Sequence, residues 1–241
     1  KMGGYGMLRI SVGLFPEVAR QWAPLLVALA VVNVLYGAAV TLRQTDMKRL
    51  IAYSSVSHMG YVLLGIFALT PVSLTGATFQ MVSHGLITGL LFAMVGVVYD
   101  HSHQRNLSLL GGLARQMPIA AVVFSIAGLA SLGLPGTSGF AAEFLVFLGS
   151  FTSKAFEGIQ LYTILGVIGI VITAGYILWM LQRAFYGPPQ ERFHGVTDAN
   201  PVEMLVIFSF VVGILLLGLY PALVTDTIQM GIEPMMRLLG G

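Results

Sequence analysis

The sequence contains no cysteine. That excludes disulfides, zinc–thiolate centres and iron–sulfur clusters held by cysteine. Charge is also scarce: 9% of the 241 residues are Asp, Glu, Lys or Arg, against about 25% in ordinary soluble domains. A chain this long can bury a soluble core, but so few charges cannot cover the surface around it. The net charge of +2 is too small, and its carriers too scattered, for a nucleic-acid surface. Glycine-rich phosphate loops, HExxH pairs and nucleophile elbows are missing, as are low-complexity tracts and glycine–serine linkers. What is present is apolar: 56% of the residues are hydrophobic and the mean hydropathy is +0.87. The expected solvent is a lipid bilayer. The expected fold is all-α, a polytopic transmembrane helix bundle forming one membrane domain over residues 1–241.

A membrane helix needs about 20 mostly apolar residues. Full-length candidates are Trp22–Leu42, Leu50–Leu69, Leu74–Val98, Ile159–Leu181 and Val202–Leu223. Pro118–Thr152 is longer and carries a break at 135–139, and Met2–Phe15 reads as the end of a further span. The total is about seven spans, one of them discontinuous. Lys1 opens the chain inside an apolar context, which reads as a fragment without its N-terminal part, a processed start being the alternative. Thr225–Leu239 mixes apolar and charged residues and reads as a short interfacial helix. Arg43, Lys48, Arg49, Arg105, Arg115, Arg183 and Arg192 fall in the connections 43–49, 100–117 and 183–200, while Arg20, Lys154 and Arg237 fall on the other side. The positive-inside rule places the first set in the cytoplasm and the C-terminus outside. Lys48 and Arg49 then mark the cytoplasmic mouth of their helix.

Ionisable groups inside spans are expensive and usually functional. His58 lies about nine residues into its span, ~13 Å deep, on a polar stripe with Ser54, Ser55 and Tyr61. His84 lies at similar depth in the next span, on a face with Gln80 and Thr88, and Gly85 and Gly89 offer close approach to another helix. Either histidine alone reads equally well as a packing residue bonded across helices. Two of them at mid-depth on consecutive helices favour a hydrated path. Lys1 stands ~20 Å from the outer end of its helix, inside the membrane if the span starts upstream; an ordinary loop lysine at a truncated start is the other reading. His101 and His103 follow Asp100 in a loop, with no further ligands to make a metal site.

The segment "LPGTSGFAAEF", residues 134–144, interrupts an apolar helix and then supplies an acid. Pro135 removes a helical hydrogen bond, and Gly136 and Gly139 loosen the turn. Freed backbone groups are tolerated in a membrane only against protein or water. A polar cavity is therefore expected at the break, lined by Thr137 and Ser138, with Glu143 beside it as a proton-binding group. A kink that serves packing, with Glu143 fixed in a salt bridge, is the other reading. Proton or cation transfer is the chemistry such groups offer.

The stretches "KMGGYGMLRIS", "RQTDMKRLIAYSSVSHMGYVLLGI", "QMVSHGLITGLLFAMVGVVYDHSH" and "LGLPGTSGFAAEFLVFLGSF" resemble the antiporter-like membrane subunits of NADH-quinone oxidoreductase, respiratory complex I. The likeness is to the M/chain 4 type in particular, and is strongest over residues 1–151. It implies a subunit of fourteen membrane helices in two inverted five-helix repeats, of which this chain is roughly the second half. It implies that Lys1, His58, His84 and Glu143 form the second half of a proton path. It also implies proton translocation driven by quinone reduction elsewhere in the complex, with flavin, iron–sulfur clusters and quinone in other subunits and no cofactor in this chain. The implied partners are other complex I membrane subunits, neighbouring antiporter-like ones included, in a bacterial plasma membrane. An Mrp-type cation/proton antiporter or membrane hydrogenase subunit is the nearest alternative, and a passive structural subunit is a third.

Overall fold

A computed structural model describes residues 1–239. A short helix α1, Met2–Gly6, runs into a π-helical segment, Met7–Val12. Six long or paired helices follow: α2 Pro16–Leu42, α3 Met47–Phe67, α4 Pro71–Ser102, α5 Pro118–Ser131, α6 Ser138–Phe151 and α7 Ile159–Ala184. Helices α8, Pro201–Leu219, and α9, Ala222–Leu238, complete the described chain. Five of these, α2, α3, α4, α7 and α8, are long and apolar enough to cross a membrane. The two halves α5 and α6 are shorter apolar helices placed end to end in sequence, as expected of one interrupted span.

The helix starts are written in the sequence. Proline occupies the first turn of α2, α4, α5 and α8, where its missing N–H has no helical partner to lose. Asp46 caps α3, and Thr70 with Ser73 and Asn200 with Glu203 form reciprocal capping boxes on α4 and α8. Helix α5 has no cap of its own. Asp198 reaches across from the connection before α8 and accepts from the N–H groups of Ile119 at 2.6 Å and Ala120 at 3.1 Å.

These contacts fix two sides of the bundle. Asp46 pairs with Arg105 at 2.7 Å and bridges to Asn106, joining the α2–α3 connection to the α4–α5 connection. Asp198 adds the α7–α8 connection to the same side. On the other side Ser153 donates to Ala68 O at 2.6 Å, and Thr70 donates to Gly149 O at 3.1 Å. The sequence sorted its loop charges into the same two groups.

Among the described residues, two large apolar clusters and a smaller one hold the bundle. One joins α3, α4, α5 and α7 through Met47, Ile51, Leu91, Phe124, Ile177 and Met180. The other joins the π-helical segment, α2, α3, α4 and α9 through Val12, Val27, Leu64, Leu74 and Met235. Helices α4 and α6 touch backbone to backbone. A Cβ on Gly76 would lie 2.5 Å from Val146 N, and one on Gly149 would fall on Ser73 N. This is small-residue packing of the kind that membranes favour. Helix α9 lies as a strap: Val224 and Ile228 pack on Phe79 and Ala142, while Ile232 and Met235 pack on the Leu8–Ala19 region.

Candidate functional site

The break in the α5–α6 span differs from the expected 135–139. It runs from Leu132 to Thr137, and Gly139 is already inside α6. The reason is a helix stop that starts at Gly133, with φ +81°. Leu134 N donates to Leu129 O at 3.0 Å and Gly133 N to Ala130 O at 3.3 Å, the bonding of a Schellman C-cap. Leu134 to Thr137 then form a β-turn, with Pro135 second and Gly136 third at φ +91°, closed by Thr137 N to Leu134 O at 3.1 Å. That is type II turn chemistry. Gly139 has another role: a Cβ there would strike Ala130 O, so its lack of a side chain lets α6 restart against the end of α5.

The side chain of Glu143 leans back toward the start of α6, as helical side chains do. Its Oε2 lies where a Cβ on Gly133 would come within 2.9 Å. The carboxylate is therefore seated in the break, and only 4% of the residue is exposed. Gln80 of α4 donates to its Oε1 at 3.4 Å. His58 Nδ1 of α3 stands 3.4 Å from the same oxygen, an ion-pair distance without hydrogen-bond alignment. The other ring nitrogen of His58, Nε2, is 3.3 Å from Ser131 Oγ at the end of α5.

The rings of His58 and His84 meet edge to face, with centroids 5.1 Å apart. Lys1 Nζ is 2.8 Å from His84 Nδ1. The four candidates thus form one continuous row, Lys1–His84–His58–Glu143, contributed by the start of α1 and by α4, α3 and α6. Chain order and spatial order differ, because His84 of α4 stands beside Lys1 and His58 of α3 stands between it and Glu143. Both histidines and Glu143 are buried.

The supporting residues divide. Gln80 touches Glu143, and Thr88 donates to the carbonyl of His84, fixing the turn below the ring. Ser138 accepts from Ser83, which ties α6 to α4 beside the break at 2.8 Å. Thr137 bonds Leu134 O within the turn. Tyr61 sets its ring edge toward His58, with centroids 5.8 Å apart. Ser54 is buried one turn away and donates to Ile51 O, outside the row. Lys48 and Arg49 lie ten or so residues from His58 along α3, ~15 Å, and do not reach the row. Lys48 lines a groove of about 470 Å³ with Phe92, Val95, Gly96, Tyr99 and Arg105. Gly89 does admit a helix, since a Cβ on it would meet the Phe210 ring of α8 at 2.9 Å, whereas Gly85 faces open space. His101 is engaged by Thr197 and Glu203.

Two contributors went unnoticed in the sequence, Ser131 and Gly133. Gly133 did carry a signal: a glycine two residues before a proline at the end of an apolar helix is a stop pattern. Ser131 carried none, because its contact with His58 spans 73 residues.

Buried polar atoms are nearly always paired. Among the described residues, His58 Nδ1, Tyr61 Oη, Gln80 Oε1, His84 Nε2 and Ser150 Oγ have no hydrogen-bond partner. Four of these five lie on or beside the row. Polar atoms so placed are the ones that hold ordered water. A mostly apolar groove of about 550 Å³ between α6 and α7, lined by Phe144, Phe147, Thr163 and Val167, also ends on Glu143 and Gly133.

Residues 1–173 match a protein family described as NADH:quinone oxidoreductase/Mrp antiporter, transmembrane. A relative from Gloeobacter violaceus, NAD(P)H-quinone oxidoreductase chain 4, is 44% identical over 231 residues, covering 94% of this chain and 44% of its own length. The chain therefore spans less than half of that relative. The structure of respiratory complex I from Thermus thermophilus with bound NADH contains a chain that superposes with a TM-score of 0.92 at 32% identity, over 99% of this chain and 50% of that one. A chain of the Mrp complex from Dietzia sp. shares the fold, with a TM-score of 0.82 at 21% identity, over 98% of this chain and 50% of its own.

Proposed function

The chain belongs to the NADH:quinone oxidoreductase/Mrp antiporter transmembrane family, and from that premise we propose that its buried row carries protons across a membrane within a quinone-reducing complex. The observation that carries this reading is the row itself. Four titratable groups from separate helices stand in succession at 2.8, 5.1 and 3.4 Å, the middle distance between ring centroids. No packing role calls for that.

Each step has a physical form. At 2.8 Å, Lys1 Nζ and His84 Nδ1 share one hydrogen bond, along which a proton moves without rearrangement. His84 Nε2 and His58 Nδ1 are both unpartnered, and one bridging water serves as well as a direct bond. An imidazolium at His58 beside an ionised Glu143 is a compensated pair. Neutralising the carboxyl leaves that charge buried and alone, at a cost of several kcal/mol or about that order. Charge on Glu143 and charge on His58 are therefore linked, and a change at one end of the row is felt along it.

The energy source, quinone reduction, lies outside this chain, as do flavin and iron–sulfur chemistry. The partners are other membrane subunits of the complex, including neighbouring antiporter-like ones. The groove that opens outward beside Glu143 suits such a neighbour. The chain sits in a bacterial plasma membrane with its C-terminus on the outer side, as loop charge indicates. An Mrp-type antiporter is a second reading supported by fold, but the 44% identity to a quinone oxidoreductase chain favours the first. In the full complex, Glu143→Gln keeps shape and removes titration. Proton uptake and quinone-linked NAD(P)H oxidation should fall to a small fraction while subunit content stays normal. Normal pumping by a fully assembled variant would defeat the reading and favour a structural subunit.

A further inference from the structure

The side of the bundle that carries most of the loop cations holds a groove that the row does not use. It measures about 560 Å³ and lies where the end of α7 meets the α4–α5 and α7–α8 connections. Ser108, Gly111, Trp179, Gln182, Arg183 and Gln190 are among the residues that line it. The two connections lock together beside it. Ala114 N donates to Phe185 O and Gln190 Nε2 to Leu110 O, each at 3.1 Å. Gly112, at φ +63°, lies so close to Pro189 that a Cβ would strike the proline backbone. Arg183 borders the groove with its guanidinium over the Trp179 ring, 3.9 Å from the centroid.

An arginine stacked on a ring is pre-organised, and the donors along its edge stay free for a planar or phosphate acceptor. Three acids of the same side are engaged elsewhere: Asp46 with Arg105, Asp198 with the start of α5, and Glu203 with His101. None of the salt bridges among the described residues involves Arg183. Arg43 and Arg115 also lack an acid, but neither is laid over a ring, so both read as plain topology signals. What sets Arg183 apart further is the surface that leads away from it. Leu178, Val171, Ile168, Ile164 and Leu161 of α7 are all exposed. With Gly175 between Val171 and Leu178, they recur every three or four residues and share one face. Leu178 stands one turn before Gln182. From Leu178 to Ile168 is ten residues, ~15 Å, the depth of one leaflet of a ~30 Å hydrocarbon core. A cationic, polar groove at the end of an exposed apolar stripe of that length matches a charged head and an acyl chain.

We propose that this groove holds the headgroup of an anionic phospholipid, with its phosphate on Arg183 and Gln182 and one acyl chain along the Leu178–Ile164 face. Basic pockets at the cytoplasmic ends of membrane helices take such headgroups. The test uses the whole complex, reconstituted in phosphatidylcholine vesicles that contain a minority of phosphatidylglycerol. The complex is recovered in mild detergent and its retained lipids are counted by mass spectrometry. The parent should retain phosphatidylglycerol above its share of the vesicle, and Arg183→Gln should retain about one molecule fewer. Trp179→Leu removes the ring beneath the guanidinium and should lose the same molecule, which covers the case in which Arg183→Gln does not assemble. Arg115→Gln removes a cation that lines a different groove and should leave the count unchanged. A parent without enrichment, or an unchanged count in either assembled groove variant, overturns the site. Equal loss in Arg115→Gln also overturns it, because a diffuse basic surface would then explain retention. Thermal unfolding separates lipid from free phosphate. Phosphatidylglycerol should raise the unfolding temperature of the parent and not that of Arg183→Gln. An equal rise with inorganic phosphate alone would overturn the assignment to a lipid. These readings do not depend on the row: normal pumping by Glu143→Gln would defeat the row and leave the lipid count as it is.

Discussion

Gly133 and Gly136 provide a controlled test of where Glu143 must sit. Both have positive φ, +81° and +91°, and alanine at either incurs the left-handed backbone penalty of about 1–2 kcal/mol. Their surroundings differ. A Cβ at Gly136 meets only Leu219 at 3.8 Å, an ordinary contact. A Cβ at Gly133 comes within 2.9 Å of Glu143 Oε2, so the carboxylate must retreat by several tenths of an ångström or rotate. Glu143 Oε1 already stands at 3.4 Å from both His58 Nδ1 and Gln80 Nε2, near the limit at which either contact counts. The two alanine variants should therefore lose similar stability, a factor of roughly 5–30 in the folding equilibrium. Gly133→Ala alone should lose most of its pumping. The assays are thermal unfolding of the purified complex and proton uptake in proteoliposomes, each variant corrected for subunit content. Equal loss of pumping in the two variants would refute the argument, because backbone strain would then explain the effect and the seat of the carboxylate would not.

Asp198→Ala removes both acceptors from the start of α5 and should destabilise the complex by about 1 kcal/mol, read as a lower unfolding temperature with pumping per assembled complex unchanged. Gly149→Ala places a methyl group on the backbone of Ser73 and should force α4 and α6 apart at a cost of about 1–3 kcal/mol. The measure is the fraction of complex assembled at growth temperature, which should drop. An unchanged fraction would mean that the contact is not tight.

Much of this architecture could be read from residue types and spacing. Apolar runs, first-turn prolines and capping residues are local signals, so the spans and their starts emerge directly. His58, His84 and Glu143 are conspicuous because charge is rare in lipid-facing chains, and in the structure they stand in one row. The break was misplaced because Pro135 draws attention from Gly133, although the glycine ends the helix before the proline acts. The order of the row and the role of Ser131 were out of reach for a different reason. Both depend on which helix lies between which others, and periodicity within one helix says nothing of that.

The strap formed by α9 has a consequence for distance. Its first half rests on the helices that carry Gln80 and Glu143, and its second half rests on the segment that follows Lys1. Seventeen helical residues measure ~25 Å, and a hydrogen-bonded helix neither stretches nor shortens. Helix α9 is thus a ruler laid between the two ends of the row, itself contributing no group to it. The spacing between the two ends of the row is tied to a length of backbone, and a neighbour that pushed on α9 would retune that spacing without touching a side chain of the row.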